Sequence, residues 1–414
     1  MSCGYIHSGY INCRVAVRGT SLHLTDGFFA GMGSSVKNVN EAQMLAPACY
    51  IDPGFYEFEK DAIFAREWLC VGRVSYIANP GDFFTTTHMG EPIVVVKGRD
   101  GIIRAMSTVC QHRAMLVAEG HGNARSFLCP YHHWAYGLDG QLIGAPAMER
   151  ACGFDKAQIR LPQFKVELWL GFIFINFNLE AAPLAPRLSR VARVLENYEL
   201  EIADGSQIQD PSVFAWNWKV MLENNNDGYH ANRLHAGPVH DAAPSDLSEF
   251  PQDLPEDTAG YYRFNRTLHP DMSFNPTLKA LLPVFPKLEA EERHRLLFAN
   301  IPPSLSLVVR SDMVSYLILH ANTHDTVAMS RGWLVAPGAK SQPLFNERLA
   351  MNVQTSSEIA AQDLHVDGLI PIGLRSRYAA RGRYSWQEQA QRELNAWLVK
   401  RYRAQWVRRQ NAIG

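Results

Sequence analysis

The sequence predicts an α+β protein: a small antiparallel β domain followed by a larger domain of antiparallel sheet and long helices. Three observations predict it. Between about residues 70 and 177, short apolar runs alternate with period two and are broken by Gly, Asp and Asn turns, as in EPIVVVKGRDGIIRAMS and WAYGLDGQLIG. SLSLVVRSDMVSYLILHANTHDTVAMSRGWLV (304–335) reads as three strands joined by two tight turns. SWQEQAQRELNAWLVKRYRAQW, near the end, reads as a long amphipathic helix with Trp386, Leu394, Trp397 and Leu398 inward.

The remaining elements follow in order. Residues 1–45 mix Gly and Ser without periodicity and read as a poorly packed leader, with Met32 as an alternative start. Asp52-Pro53 is a helix-entry signal, and Phe55, Phe58, Ile63, Phe64 and Trp68 recur near helical spacing after it. NLEAAPLAPRL (178–188), with two prolines, reads as the linker out of the β domain, which gives a division at 46–180 and 181–414. A chain of 414 residues has room for two such domains.

Composition narrows the function. Hydrophobic content of 47% and charged content of 20% fit a globular protein with a real core. A net charge of −1 argues against nucleic acid or a membrane surface as partner. The most apolar strip, LWLGFIFINF (168–177), is too short to span a bilayer, and no secretory signal is evident. Seven cysteines without framework spacing suggest a reducing compartment, the cytoplasm, with thiols free or metal-bound. No GxGxxG follows a strand, so a built-in nicotinamide or flavin domain is not expected.

Two constellations carry chemistry. In the β domain, Cys110-Gln-His112 is followed after 16 residues by Cys129-Pro-Tyr-His132. Each half offers a thiolate and an imidazole on a loop between short strands. Two thiolates on one iron and two imidazoles on the other is the ligation of a Rieske [2Fe–2S] cluster. A structural zinc site uses the same four residue types. His133 reads as a neighbour of the ligands or as exposed, and His121 as incidental.

The second constellation is ENNNDGYHANRLH (223–235). His230 and His235 are five apart, about 140° around a regular helix, so a straight helix does not aim both at one metal. Asn224 to Gly228 together sacrifice roughly 3–4 kcal/mol of helix propensity relative to alanine. The helix is therefore expected to break or bulge between the histidines, as helices do at functional sites. A solvated loop with incidental histidines is the plainer alternative, and His240 reads as a surface residue.

CxH–x16–CxxH resembles the Rieske domain of ring-hydroxylating non-haem iron oxygenases, in their α subunits, and ENxxDxYHxxxxH resembles the iron motif of the same family. Respiratory Rieske proteins carry a further cysteine in each half; Met115 and Tyr131 occupy those positions here. The resemblance covers about residues 46–414. It implies a helix-grip catalytic domain, a Rieske cluster on Cys110, His112, Cys129 and His132, and Fe(II) on His230, His235 and a carboxylate. The family places that carboxylate in an acidic pair before a Gly-Leu and a basic residue, a pattern similar to Gln362-Asp363 with Gly373-Leu374-Arg375 following, which points to Asp363; Asp367 and Glu358 are alternatives. Asp227 matches the family's bridging carboxylate, paired with His132, or else His112, of a neighbouring subunit. Asn224 matches a residue beside the iron.

The resemblance also implies a terminal oxygenase that uses O2 and takes electrons from a separate ferredoxin or flavin reductase. A homotrimer, with or without a small β subunit, is expected. The substrate expected is a small aromatic molecule, with N- or O-demethylation or quaternary ammonium oxidation as the alternative. Asp227, where several quaternary-ammonium members have Glu, favours the aromatic class. The substrate pocket is expected between residues 224–240 and the strands of 304–335, with Phe264, Phe274, Phe298, Leu305, Leu307, Leu317 and Leu319 as candidate apolar lining. The basic KRYRAQWVRR reads as a solvated helix face or a docking site for the electron donor.

Overall fold

Two large antiparallel sheets organise the chain in a computed structural model that describes residues 24–235, 237–252 and 258–413. The Asp52 carboxylate accepts the Phe55 N–H at 2.8 Å, and the helix Pro53–Glu59 starts there, continuing as a wide π turn to Phe64. The first sheet has seven strands in the order Leu69–Arg73, Phe172–Asn176, Gln163–Trp169, Ile103–Ser107, Glu91–Lys97, Asp82–His88 and His121–Asn123. Phe127–Leu128, Ala135–Tyr136 and Leu142–Gly144 form a separate three-stranded sheet. The alternating runs of the β domain are thus strands.

The second sheet carries the larger domain. Its strands Leu305–Val309, Val314–Ala321 and Val327–Val335 are the three expected from sequence, and Arg295–Ile301 and Tyr261–Arg266 extend the sheet beyond them. Two long helices, Phe345–Asp367 and Gln389–Ile413, accompany it. Against this sheet and both long helices packs Trp218–Asn226, the first half of an interrupted segment that continues as Gly228–Leu234.

A buried ion pair fixes the first turn of that segment. Lys219 Nζ lies 2.8 Å from Glu59 Oε1, both side chains are wholly buried, and the Tyr402 hydroxyl donates to the same oxygen. Trp218 Nε1 donates to the other Glu59 oxygen at 3.4 Å. One carboxylate thus ties together the Asp-Pro helix, the interrupted segment and the C-terminal helix. Removing one partner would strand a buried charge, at a cost of about 3–5 kcal/mol.

Two expectations differ from the fold. The described part of the leader is packed: Phe29 and Met32 are buried, Phe29 stacks on Trp406 at 4.8 Å, and Arg392 and Arg381 donate to backbone carbonyls of Val36 and Gly31. Contacts from the far end of the chain, invisible locally, order it; residues 1–23 lie outside the described residues. Leu394, Trp397 and Leu398 are buried as expected, but Trp386 is 48% exposed. It precedes the helix, in a short turn capped by Ser385, and so does not share the helix's inward face. The proline-containing segment 178–188 is packed where it leaves the first sheet, with Ala181, Leu184 and Leu188 buried.

The two sheets meet at a pair of buried imidazoles. His88 Nε2 lies 3.2 Å from His320 Nδ1, and Thr86 and Ser330 hydroxyls complete the contact. Burial pushes His320 down to about 4 and His88 well below 6.5, His88 also feeling the charge of His320. The unfolded chain therefore binds protons that the fold refuses, so this contribution to stability declines as pH falls below about 6.5. For His320 the decline between roughly pH 7 and pH 5 is about 2 kcal/mol. Denaturant melts of wild type and His320→Gln over that range should show the wild-type advantage shrinking by this amount. A pH-independent difference would refute the burial of a neutral ring. Among the described residues, no helix is long and apolar enough to cross a membrane.

Candidate functional site

The two loops of the β domain have the same backbone wiring. Cys110 N–H donates to the Met115 carbonyl at 2.8 Å and Ala114 N–H to the Cys110 carbonyl at 3.0 Å. Cys129 N–H donates to the Trp134 carbonyl at 2.8 Å and His133 N–H to the Cys129 carbonyl at 3.0 Å. Ala114 and His133, at matching positions, have φ of +58° and +56°. Each loop buries its cysteine and brings its histidine forward, so that the rings of His112 and His132 are 4.6 Å apart.

In both rings Nδ1 is buried and lacks a hydrogen-bond partner. Leaving such a group unsatisfied costs about 1–3 kcal/mol, and two of them side by side call for a ligand. Two thiols and two free Nδ1 atoms suit a Rieske [2Fe–2S] cluster. The Tyr136 hydroxyl, 3.3 Å from Cys110 Sγ, also accepts the Gln111 N–H. It has no sequence signal of its own; hydrogen bonds to ligand sulfurs tune a cluster's potential.

In the larger domain, the helical break falls at Asp227 rather than between the histidines. Asp227 has extended backbone, and its Oδ1 caps the second helix by accepting from Tyr229 N at 2.6 Å and His230 N at 3.3 Å. His235 is itself the residue that leaves helical geometry, with φ −104° and ψ 38°. The i, i+5 problem is thereby resolved at the helix end. Gly228 permits the close passage of residue 387: a Cβ here would lie 3.1 Å from the Gln387 carbonyl oxygen and 3.2 Å from Ser248 Oγ. Arg263 donates to the Asn226 carbonyl at 3.1 Å and steadies the end of the first helix.

Three side chains converge. His235 Nε2 is 2.9 Å and His230 Nε2 is 3.4 Å from Asp363 Oδ1, and the two Nε2 atoms are 3.3 Å apart. Burial pushes Asp363 up, but hydrogen bonds from the two histidines outweigh it and hold the carboxyl at about 2. Burial likewise lowers His230, and Asp227 and Asp363 outweigh it and raise the ring to about 9. A divalent cation can take the place of the shared protons. Two imidazoles and one carboxylate suit Fe(II).

The outer nitrogens face side-chain oxygens. His230 Nδ1 lies 3.1 Å from Asp227 Oδ2, and His235 Nδ1 lies 2.8 Å from Gln362 Oε1. Each contact leaves Nε2 of its ring as the ligand atom. In the sequence Gln362 is only the residue before Asp363, with no ligand signal of its own. Asn224 Nδ2 donates to Asp363 at 3.2 Å and Asp367 at 3.3 Å, which places it at the site. Asp367 reaches neither histidine; burial and the charge of Asp363 raise it to about 8. Glu358 is exposed and pairs with Gln354. Asn225 bonds Asn300 at 3.3 Å, while the Asn226 side chain is buried without a partner.

A cavity of about 460 Å³ opens on His230, His235 and Asp363. Phe274, Phe298 and Leu317 line it as expected. Leu305, Leu307 and Leu319 belong to the core, because their side chains face the other elements packed on the sheet. Phe264 lies under the Arg295 guanidinium, 4.5 Å away, and not in the cavity. His240 is half-buried and hydrogen-bonds Asn232 at 2.8 Å, so it is a structural residue rather than a surface one.

Paired Cys/His loops and a cluster of two histidines and one aspartate in the same chain are the donor sets of a Rieske cluster and a mononuclear iron. The family model of the ring hydroxylating alpha subunit (catalytic domain) matches residues 190–404, and that of the Rieske [2Fe-2S] domain matches residues 67–165. The chain belongs to the ring-hydroxylating α-subunit family, whose cofactors are a Rieske [2Fe–2S] cluster and a mononuclear non-haem iron. It is 35% identical over 206 residues to the carnitine monooxygenase oxygenase subunit of Escherichia coli (strain K12), covering 48% of this chain and 54% of that one. It is 35% identical over 217 residues to the benzene 1,2-dioxygenase subunit alpha of Pseudomonas putida, covering 50% and 48%. The chain thus spans about half the length of the curated relatives it matches.

The fold is similar to that of naphthalene 1,2-dioxygenase from Rhodococcus sp. bound to indole, with a TM-score of 0.76 at 19% identity over 91% of this chain and 99% of that one. It is also similar to a quaternary ammonium Rieske monooxygenase in complex with L-carnitine, with a TM-score of 0.72 at 22% identity over 92% and 99%.

Proposed function

We propose that the chain is the terminal oxygenase of a multicomponent system that hydroxylates an aromatic substrate with O2. The observation that carries this reading is the convergence of His230, His235 and Asp363 at the wall of a substrate-sized cavity, in a chain that also has paired Cys/His loops. In this reading Cys110, His112, Cys129 and His132 hold the cluster, and His230, His235 and Asp363 hold the iron. The cluster supplies single electrons and the iron supplies the oxygen chemistry.

The chain's own residues do the rest. Asp227 and Gln362 fix the two imidazoles, and Asn224 orients Asp363. Asp227 also links His230 to a Rieske histidine, His132 or else His112, of a neighbouring subunit in a homotrimer, with or without a small β subunit. Electrons come from a separate ferredoxin or flavin reductase, and the assembly works in the cytoplasm. The proposed division is a leader at 1–45, a Rieske domain at 46–180 and a catalytic domain at 181–414.

The E. coli relative named for carnitine raises quaternary ammonium oxidation as the competing activity. Two features support the aromatic reading instead. Asp227 stands at the bridging position, and Arg263 and Arg310, which lie over the rings of Phe298 and Phe274 at 3.9 and 5.3 Å, add positive charge to the cavity wall that disfavours a cationic ligand. The test is NADH-driven O2 uptake with a surrogate reductase and a panel of aromatic acids, amides, ethers and quaternary amines. Product formation from aromatic members supports the reading; turnover of quaternary amines alone would replace it.

A further inference from the structure

The cavity contains two arginines to which the metal centre assigns no task. Arg310 is wholly buried, in the turn between strands Leu305–Val309 and Val314–Ala321. It donates to Ser315 Oγ at 2.8 Å and Ser356 Oγ at 3.1 Å, and its Nε has no partner. Asp312 is near, but its oxygens accept from Ser273, Asn352 and the N–H groups of Leu281 and Leu282. Arg331 stands in the strand Val327–Val335 and is half-buried. Among the described residues neither arginine has an ion pair. Burial lowers both guanidiniums, Arg310 to about 10 despite Asp312.

The register brings the two together. Leu317 pairs with Arg331 and Ser315 with Trp333 across neighbouring antiparallel strands. Ser315, Leu317, Arg331 and Trp333 all line the cavity, so Arg331 is the diagonal neighbour of the serine that Arg310 grips, about 7–8 Å away in the sheet. Two unpaired cations at one corner of a low-dielectric cavity are costly unless an anion joins them.

Resting on the reading that this cavity takes the substrate, we propose that the substrate carries a carboxylate, which Arg331 and Arg310 hold. The helix Phe345–Asp367 sets the scale. Ser356, on Arg310, precedes the ligand Asp363 by seven residues, two turns along the same face and about 10 Å along the axis. A ring fits between the carboxylate and the metal ligands. The substrate class is therefore an aromatic or arylalkyl acid, presented by its carboxylate with the ring toward His230 and His235.

The test is isothermal titration of the protein loaded with cluster and iron, without reductant. The probes are benzoate, 3-phenylpropionate and 2-naphthoate, each with its neutral amide and its trimethylammonium analogue. Wild type should bind the best carboxylate about tenfold or more tightly than the matched amide. Arg331→Gln should erase that preference, and Arg331→Lys should keep part of it. Arg331 is the residue to change because Arg310 is buried and holds two elements together.

The proposal is overturned if amides or ammonium probes bind as well as the acids, if no acid binds, or if Arg331→Gln keeps the preference. Acids that bind but draw no reductase-driven O2 uptake would instead sink the oxygenase reading and leave this one standing.

Discussion

Asp363→Ala is expected to remove the mononuclear iron and abolish turnover while leaving the Rieske absorption unchanged. The two imidazoles would keep their supports, since Asp227 and Gln362 lie on their far nitrogens. They would lose the charged oxygen that lies within 3.4 Å of both Nε2 atoms. Two neutral ligands hold Fe(II) poorly without a carboxylate. Asp367→Asn is the control: Asp367 contacts Asn224 but neither histidine, so that variant should keep its iron. The cluster loops share no ligand with this site, which is why their absorption should persist. Iron analysis and visible spectra of the two variants decide the matter. Iron retained by Asp363→Ala, or lost by Asp367→Asn, would exchange the roles of the two carboxylates.

Asp227→Asn is expected to lower NADH-driven O2 uptake by about 10- to 100-fold or more while both metals remain. Asparagine caps helices about as well as aspartate, so the turn at Gly228 should survive. What disappears is the negative charge 3.1 Å from His230 Nδ1. Asp227→Ala should lose activity as well, and about 1 kcal/mol of stability with the cap. Melting curves and metal content read beside turnover separate the two effects. Full activity in the asparagine variant would remove Asp227 from the electron path.

How much of this was legible in the sequence depended on how tightly chemistry restricts residue type. The Cys110/His112 and Cys129/His132 pairs and the two histidines of 223–235 stood out as candidate ligands, because few residue types ligate iron. Asp363 and Asp367 could not be separated, since they share a helix face; only the approach of His235 distinguishes them. The poor helix formers at 224–228 correctly announced an interruption, but its position depended on the Asp227 cap and on the departure of His235 from helical backbone.

Residues that act singly left little trace. Tyr136 and Gln362 belong to no spacing pattern, and the packing of Phe29 on Trp406 joins positions nearly four hundred residues apart. Arg310 and Arg331 did leave a signal: Arg310 directly follows an apolar strand in SLVVRSD, and Arg331 is a charge within one in AMSRGWL. That signal gains meaning only with the strand register, which places both on one cavity.

The most direct test of the central claim is the iron content of the purified, reconstituted chain, measured with its visible and electron paramagnetic resonance spectra. About three irons per chain are expected, two in a Rieske cluster with its red-brown absorption and one mononuclear and ferrous. A colourless protein holding zinc at the Cys/His loops, or a chain with the cluster and an empty His230–His235–Asp363 site under saturating Fe(II), would contradict it.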